Sequence, residues 1–517
     1  MKTLVENDAH RPPVPARGAS GGGDSIFAAS VFNVGARSWE ALVNLATVPV
    51  LLAHLGTEAY GLIGFTQSIF GLLGLLDFGL SNAVNRELAR HEVEADGLRP
   101  VRVIVRSLEL PLLAVAVVLA GGLLTVSGFV ASDFLRVESL PPGTAATVLQ
   151  LFAGIFVCRW VAGFYRGVFF GLERQVRYNV CSVLYTTLRF VGGAGLLASG
   201  VVGIVGLFVW YAATDALFFA ALRIQVWQYE RAGSVAGPSF SSARLRGVLP
   251  YALGTMGLAL VGVLVMQVDK LLIARLRPLS ELGAYTFAFT LAMGIRIIPG
   301  AIWTATFPRL VQVTQTRQAG ALRAVLVASF RFSSLSALAL AAPLAVFSPD
   351  IVATIGGRAA GIALAAPLLA LLAIGVFVES LVSPCYQQLL ADGHARVLLR
   401  LALEINLAFV VAVAVAIATL GVMGAALCWP ALQLGSWWLY ARRARAAGGP
   451  DFSGTARAAM PYFLAILAAT ALARVLSWGA GPLVGTALAA GVGLVAHLLI
   501  GWRMKQQRDG GQGATPG

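Results

Sequence analysis

Asn33, Arg37, Glu40 and Asn44 are spaced four, three and four residues apart in a stretch that is otherwise largely apolar. On an α-helix that spacing lines all four along one face over about three turns. A guanidinium set among amides and a carboxylate can hold phosphate oxygens and sugar hydroxyls, because arginine presents a planar fork of donors and stays charged where burial would neutralise lysine. Other cations lie deep in apolar runs as well. Arg159, Gly163 and Arg166 share a helical face, Arg296 falls between Gly294 and Pro299-Gly300, Lys270 follows Asp269, and Arg189 and Arg474 stand alone. A charge at mid-bilayer costs at least about 2.5–3.5 kcal/mol, so such residues face protein or a water-filled cavity. Arg37, Arg159, Arg166, Arg296, Lys270, Asn33 and Asn44 are therefore the candidate binding residues, and the implied ligand is an anion carrying phosphate.

Acids occur in the same runs: Glu40, Asp77, Asp215, Asp269, Glu379 and Glu404. Intramembrane carboxylates suit proton or sodium coupling, and equally serve to neutralise an arginine. Glu40 can pair with Arg37 along its own helix, and Asp215 is a natural partner for Arg189. Asp269 and Lys270 fit an interfacial gate or simple snorkelling. Glu379, beside Ser380, Ser383-Pro384 and Gln387-Gln388, fits a cavity wall or a helix–helix hydrogen bond. Pro299-Gly300 predicts a kink whose freed carbonyls turn toward a cavity. No cofactor or metal site is expected, since Cys158, Cys181, Cys385 and Cys428 lie in apolar runs without a CxxC or a histidine-rich neighbour.

The elements that must carry these residues follow from composition. Of 517 residues, 58% are hydrophobic and 12% charged, against roughly 25% charged in soluble domains. That excludes a soluble fold and leaves an all-α, polytopic membrane protein. A window of about 19 residues predicts fourteen spans: Ser25–Leu55, Ala59–Leu88, Val103–Val130, Ala145–Leu172, Tyr178–Ser199, Val202–Leu222, Val248–Leu276, Leu282–Leu310, Ala324–Phe347, Gly361–Ala391, Val397–Leu420, Val422–Tyr440, Ala456–Trp478 and Pro482–Trp502. Residues 1–24 and 504–517 read as disordered tails, with no cleaved signal peptide. Of the 38 basic residues, 27 fall in the termini and in loops on the same side, and only Arg136, Arg275, Arg277 and Arg358 in loops opposite. The positive-inside rule then puts both termini in the cytoplasm. It also accounts for the net charge of +14 without nucleic acid.

The chain repeats internally. An offset of 223 residues places Glu58 on Glu281 and Arg86 on Arg309; the offset then shrinks, so that Gly154-Ile-Phe meets Gly375-Val-Phe and Gly203-Ile-Val-Gly meets Gly421-Val-Met-Gly. Six spans per copy is an even number, so both copies enter the membrane in the same sense and are related by a pseudo-twofold axis along its normal. The predicted organisation is a first lobe at 25–230, a second at 245–445 and a terminal helix pair at 455–503.

These residues resemble the Wzx-type polysaccharide flippases of the multidrug/oligosaccharidyl-lipid/polysaccharide (MOP) exporter superfamily. The likeness rests on His54-Leu-Gly-Thr-Glu-Ala-Tyr-Gly-Leu, Leu75-Leu-Asp-Phe-Gly-Leu, Val268-Asp-Lys-Leu-Leu-Ile, Leu282-Gly-Ala-Tyr through Phe307-Pro-Arg-Leu, and both glycine pairs, within about Ser25 to Tyr440. It implies two six-helix lobes in a V, like the MATE exporters, around a cationic cavity. It also implies a substrate, an undecaprenyl-pyrophosphate-linked oligosaccharide moved from the inner to the outer leaflet of a bacterial cytoplasmic membrane by a monomer working with membrane lipid and polysaccharide polymerase machinery. A lipid II flippase of the same superfamily shares the anionic carrier. An integral membrane polymerase or glycosyltransferase would meet the same substrate, but the longest outer segments offer only Asp133, Glu138 and Asp350 as acids, which disfavours catalysis. Four deep arginines disfavour an exporter of cationic drugs.

Overall fold

A backbone crossing hydrocarbon must satisfy its own polar groups, and a helix does so within one segment. The computed structural model describes residues 22–74, 79–91, 99–231, 241, 246, 262–316, 318–357 and 359–512. Among them the chain is helical throughout, apart from turns and one isolated bridge. α1 (Gly22–Gly74) is broken into two arms at Gly56, whose φ of 77° is a left-handed value open to a residue without a Cβ. α2 (Leu80–His91), α3 (Arg99–Phe129), α4 (Thr144–Gly171), α5 (Gln175–Ala198) and α6 (Ile204–Arg231) complete the first set. The second set begins with α7 (262–276), α8 (Leu279–Met293), α9 (Ile297–Gln315) and α10 (Ala319–Val346). The short α11 (Ser348–Gly356) follows, then α12 (Ala365–Ala391), α13 (Ala395–Leu420) and α14 (Val422–Ala446). α15 (Phe452–Leu476) and α16 (Pro482–Gln512) form the terminal pair.

Eleven of the described helices are long and apolar enough to cross a membrane. The other three expected spans fall on the second arm of α1 with α2, on α7, and on α14; residues 248–261 of the seventh lie outside the described residues. Three boundaries differ from expectation. Span eight is interrupted by a 3-10 turn at Gly294–Arg296, just before Pro299-Gly300. Proline's ring clashes with the carbonyl four residues earlier, here Ile295, and its missing N–H leaves that carbonyl unpaired. The segment from Ser348, read as a loop, folds into α11. The terminal helix runs to Gln512 instead of ending near Trp502, so most of the predicted 504–517 tail is helical; residues 1–21 and 513–517 lie outside the description.

Within the first set α1 packs on α5, α4 on α6, and α3 on α4; within the second α12 packs on α14 and α10, and α8 on α12. The sets meet where the second arm of α1 crosses α8. A Cβ on Gly61 would run into the Leu279 carbonyl, and one on Gly283 into the Thr57 carbonyl. These are twofold-related contacts, residue 57 corresponding to 279 and 61 to 283, at an offset of 222. That is one residue from the offset that aligns Glu58 with Glu281.

Beyond this crossing one end of the bundle is shut by hydrogen bonds between the sets. Leu279 N donates to Arg136 O at 2.9 Å, beside a parallel bridge between Arg136 and Pro278. Arg275 donates to Asp133 O at 2.6 Å and the Thr57 hydroxyl to Ala360 O at 2.6 Å. The buried Glu58 anchors the 130–144 segment by accepting from Glu138 N at 2.5 Å, from Ser139 N at 2.7 Å and from the Ser139 hydroxyl. Arg277 forks onto both oxygens of Glu281 at 2.9 and 2.8 Å, a bond that raises its pKa above the usual arginine value. Toward the other end, the one with most of the basic residues, α2 packs on α3 and α4 and α9 on α10 and α12, each within its own set.

Candidate functional site

The first arm of α1 leans on α5. Asn33 donates to Gln175 at 2.7 Å and accepts from Asn179 at 2.6 Å, while Trp39 donates to Thr187 at 2.9 Å. Asn33 therefore positions the polar stripe, and both ends of its amide are used. Arg37, Glu40 and Asn44 are exposed, and the side chains of all three make no ion pair or hydrogen bond among the described residues. Arg37 and Glu40 do not form the helical pair their spacing allows. Arg37 and Glu40 on α1 and Arg166 on α4 all act electrostatically on Tyr178 of α5, so they lie in the same region of the first set. Arg166 is likewise exposed and unpaired.

Two turns nearer the crossing on α4, Arg159 packs its guanidinium over the Phe70 ring at 4.3 Å, with Gln67 at 3.5 Å and Asp215 at 3.8 Å. Its side chain keeps 24% of its surface exposed. Asp215 on α6 also pairs with Arg189 on α5, which is fully enclosed and stacks over Tyr211 at 4.1 Å, and it accepts from the Tyr185 hydroxyl at 2.6 Å. Two guanidiniums around one carboxylate leave a net positive charge, and Arg159 is the one that reaches solvent.

In the second set Arg296 pairs with Glu379 on α12 at 3.0 Å and keeps 47% of its side chain exposed. Beside the pair lies a small pocket of about 70 Å³ whose lining includes Trp303, Ser380 and Ser383; the Trp303 indole N–H and one Glu379 oxygen are buried without a hydrogen-bond partner among the described residues. Arg296 lies ten residues beyond Thr286, the residue packed against Gly64, which is about 15 Å along a helix on the basic side of the crossing. Gln67 and Phe70, which hold Arg159, lie on the same side.

Lys270 occupies a different environment. It is buried, donating to Met266 O at 2.6 Å and to Asp269 at 3.4 Å with its ammonium 3.6 Å from the Phe289 centroid, and the Tyr285 hydroxyl completes the cluster on Asp269 at 2.5 Å. All of these partners lie on α7 and α8. Asp77 falls outside the described residues, Glu404 is exposed on α13, and Arg474 pairs with Asp350, which ties α15 to α11.

The sequence reading missed two buried acids, Glu58 at the closed end and Glu109. Glu109 on α3 accepts from the Tyr165 hydroxyl at 2.7 Å, from Arg223 at 2.9 Å and from Arg106 at 3.2 Å, and Trp227 donates to Tyr165 at 3.0 Å. Arg106 three residues before it was the available signal, but its position near a span end reads as snorkelling.

Residues 29–314, more than half of the chain, match the family described as polysaccharide biosynthesis protein, and residues 259–416 match the MatE family. A Shigella flexneri protein, "Putative O-antigen transporter", is 20% identical over 303 residues, covering 57% of this chain and 68% of that one. Among solved structures, the lipid II flippase MurJ in an inward closed conformation superposes with a TM-score of 0.70 over 92% of this chain and 99% of that chain, at 12% identity. An inward-facing multidrug resistance MATE transporter of the MOP superfamily gives 0.66 over 79% and 95%, at 16% identity. At such identities the likeness to solved structures is one of fold.

Proposed function

This chain belongs to the polysaccharide biosynthesis protein family, as a Wzx-type flippase of the MOP superfamily, and on that premise we propose that it carries undecaprenyl-pyrophosphate-linked oligosaccharides from the inner to the outer leaflet of a bacterial cytoplasmic membrane. The lobes are 25–230 and 245–445, and both termini are cytoplasmic. The basic end then faces the cytoplasm, the side from which the substrate is taken up. Arg37 and Arg166 make the first contact with the pyrophosphate, Arg159 backed by Asp215 and Arg189 the second, and Arg296 the contact from the opposite lobe. Asn44 and the pocket beside Glu379 face the sugars.

The observation that carries this reading is a pair of exposed guanidiniums in one region of the first set, Arg37 on α1 and Arg166 on α4, that make no ion pair or hydrogen bond among the described residues. Intramembrane arginines normally pair with acids or backbone oxygens; two that lack a partner among the described residues invite an anionic one. Asn33 enters as a positioning residue for the stripe. Lys270 and Asp269 stabilise the second lobe, and Glu379 is the acid best placed to couple ion movement to Arg296.

The test is translocation of a labelled lipid-linked oligosaccharide in proteoliposomes. Each charge-assisted contact is worth about 1.5–3 kcal/mol, so Arg37→Ala/Arg166→Ala and Arg296→Ala should each slow transport by tenfold or more. Wild-type rates in both variants at equal reconstitution would remove the cationic capture step. A carrier bearing the lipid II headgroup, flipped as fast as the oligosaccharide, would move the assignment to the peptidoglycan precursor.

A further inference from the structure

A large cavity lies outside the site just described. About 1170 Å³ of space lies between α10, α15 and α16, more than the roughly 300–1,000 Å³ of a small-molecule pocket. Most of its wall is apolar, with Val327, Phe332 and Leu335 from α10 facing Ile466 of α15 and Leu488 and Val495 of α16. Sugars and pyrophosphate have no business there, but hydrocarbon chains do.

Two cations interrupt the apolar wall. Arg323 and Arg331 line the cavity from α10, both exposed, and neither side chain makes an ion pair or hydrogen bond to any described residue. Arg331, counted among loop cations from sequence, stands twelve residues inside a helix that starts at Ala319, about 18 Å along its axis. A guanidinium at that depth beside hydrocarbon is costly unless an anion reaches it. Eight residues, about 12 Å of rise, separate the two, a gap that their long side chains can close from either side of one headgroup.

We propose that this cavity binds an anionic glycerophospholipid, with the acyl chains along α15 and α16 and the headgroup phosphate between Arg323 and Arg331. The terminal pair meets the second lobe directly near the closed end, where Arg474 pairs with Asp350 and Thr354 with Thr486 at 3.0 Å. The lipid fills the space that α10, α15 and α16 leave open, beside the direct contact that α15 keeps with α10 toward the basic end through Phe452 and Phe330. It is distinct from the carrier in transit: α10, which packs on α9 and on the Gly294–Arg296 turn, stands between the cavity and Arg296. The proposal is independent of the transport reading.

Native mass spectrometry of the full-length protein in detergent, with phosphatidylglycerol or phosphatidylcholine of matched chains, tests it. The anionic lipid should be retained in preference by about tenfold or more, since each surface cation favours an anionic headgroup. Arg323→Gln/Arg331→Gln should abolish the preference, whereas Arg396→Gln/Arg400→Gln, an equal charge change elsewhere, should leave it intact. A Cβ on Gly491, a cavity-lining glycine, meets nothing within 4 Å; Gly491→Leu fills the space and should lower retention of both lipids. Equal retention of the two lipids by the wild type, or a preference that survives loss of both arginines, overturns the proposal. Inorganic phosphate raising the melting temperature as much as the lipid also overturns it, as does displacement of the phospholipid by a polyprenyl phosphate.

Discussion

Asp215 is in direct contact with Arg189 and 3.8 Å from Arg159, so its one charge serves mainly the buried guanidinium. Removing a carboxylate from a buried pair leaves an uncompensated cation in low dielectric, at a cost of about 3–5 kcal/mol. Asp215→Asn should therefore lower the melting temperature in detergent markedly, while Arg159→Gln, at 24% exposure, should leave stability near wild type and slow transport. A stable Asp215→Asn protein would mean that Tyr185 and the Tyr211 ring alone hold Arg189. At this level the sequence was partly readable. A cation in mid-span announces itself, and so does an acid on the next helix, which is how Arg189 and Asp215 were matched. Whether a residue keeps a free valence was not readable. Asn33 and Arg37 are neighbours on one stripe, yet α5 consumes the first and leaves the second open. Lys270 looks like the deep arginines but is enclosed by its own lobe. Glu109 was missed because its partners come from three helices, and only one of them, Arg106, is local.

At the level of the helix, hydropathy located the membrane segments well, because twenty apolar residues have few alternatives in lipid. It located interruptions less well. Pro299 acts one turn upstream of itself, so the break lands on Gly294–Arg296 and re-aims Arg296 toward Glu379. Pro299→Ala restores an N–H for the Ile295 carbonyl and removes the ring clash. It is expected to merge α8 and α9, raise thermal stability by about 1 kcal/mol or more, and reduce transport by swinging Arg296 off its partner. Unchanged transport at raised stability would show that the break positions nothing. The Gly56 break has the opposite legibility: hydropathy ends one expected span at Leu55 and starts the next at Ala59, whereas in the structure α1 continues past it and the left-handed φ marks the division. The hydrogen bonds that dock the 130–144 segment on 275–279 are invisible to hydropathy because they are made by backbone groups, whose partners depend on which helix ends the fold brings side by side.

For the whole molecule, the repeat read from a few charged and glycine positions reappears as a physical contact, since each of Gly61 and Gly283 leaves room for the carbonyl at its twin's preceding turn. Such an interface is self-complementary and lets the halves pivot about it without a side chain to shear. Alternating access then requires the closed end to separate, and the Thr57 hydroxyl bond to Ala360 O, 2.6 Å long, marks where it must part. Cysteines at 57 and 360, in a background lacking the four native ones, should be bridged by a short bifunctional maleimide and arrest translocation. A reducible linker of the same length should restore it after cleavage. Each single cysteine treated with the linker controls for local damage. If the bridged protein still flips its substrate, the two sets do not rock about the Gly61–Gly283 crossing, and the arginines on its basic side act in a path that never opens at this end.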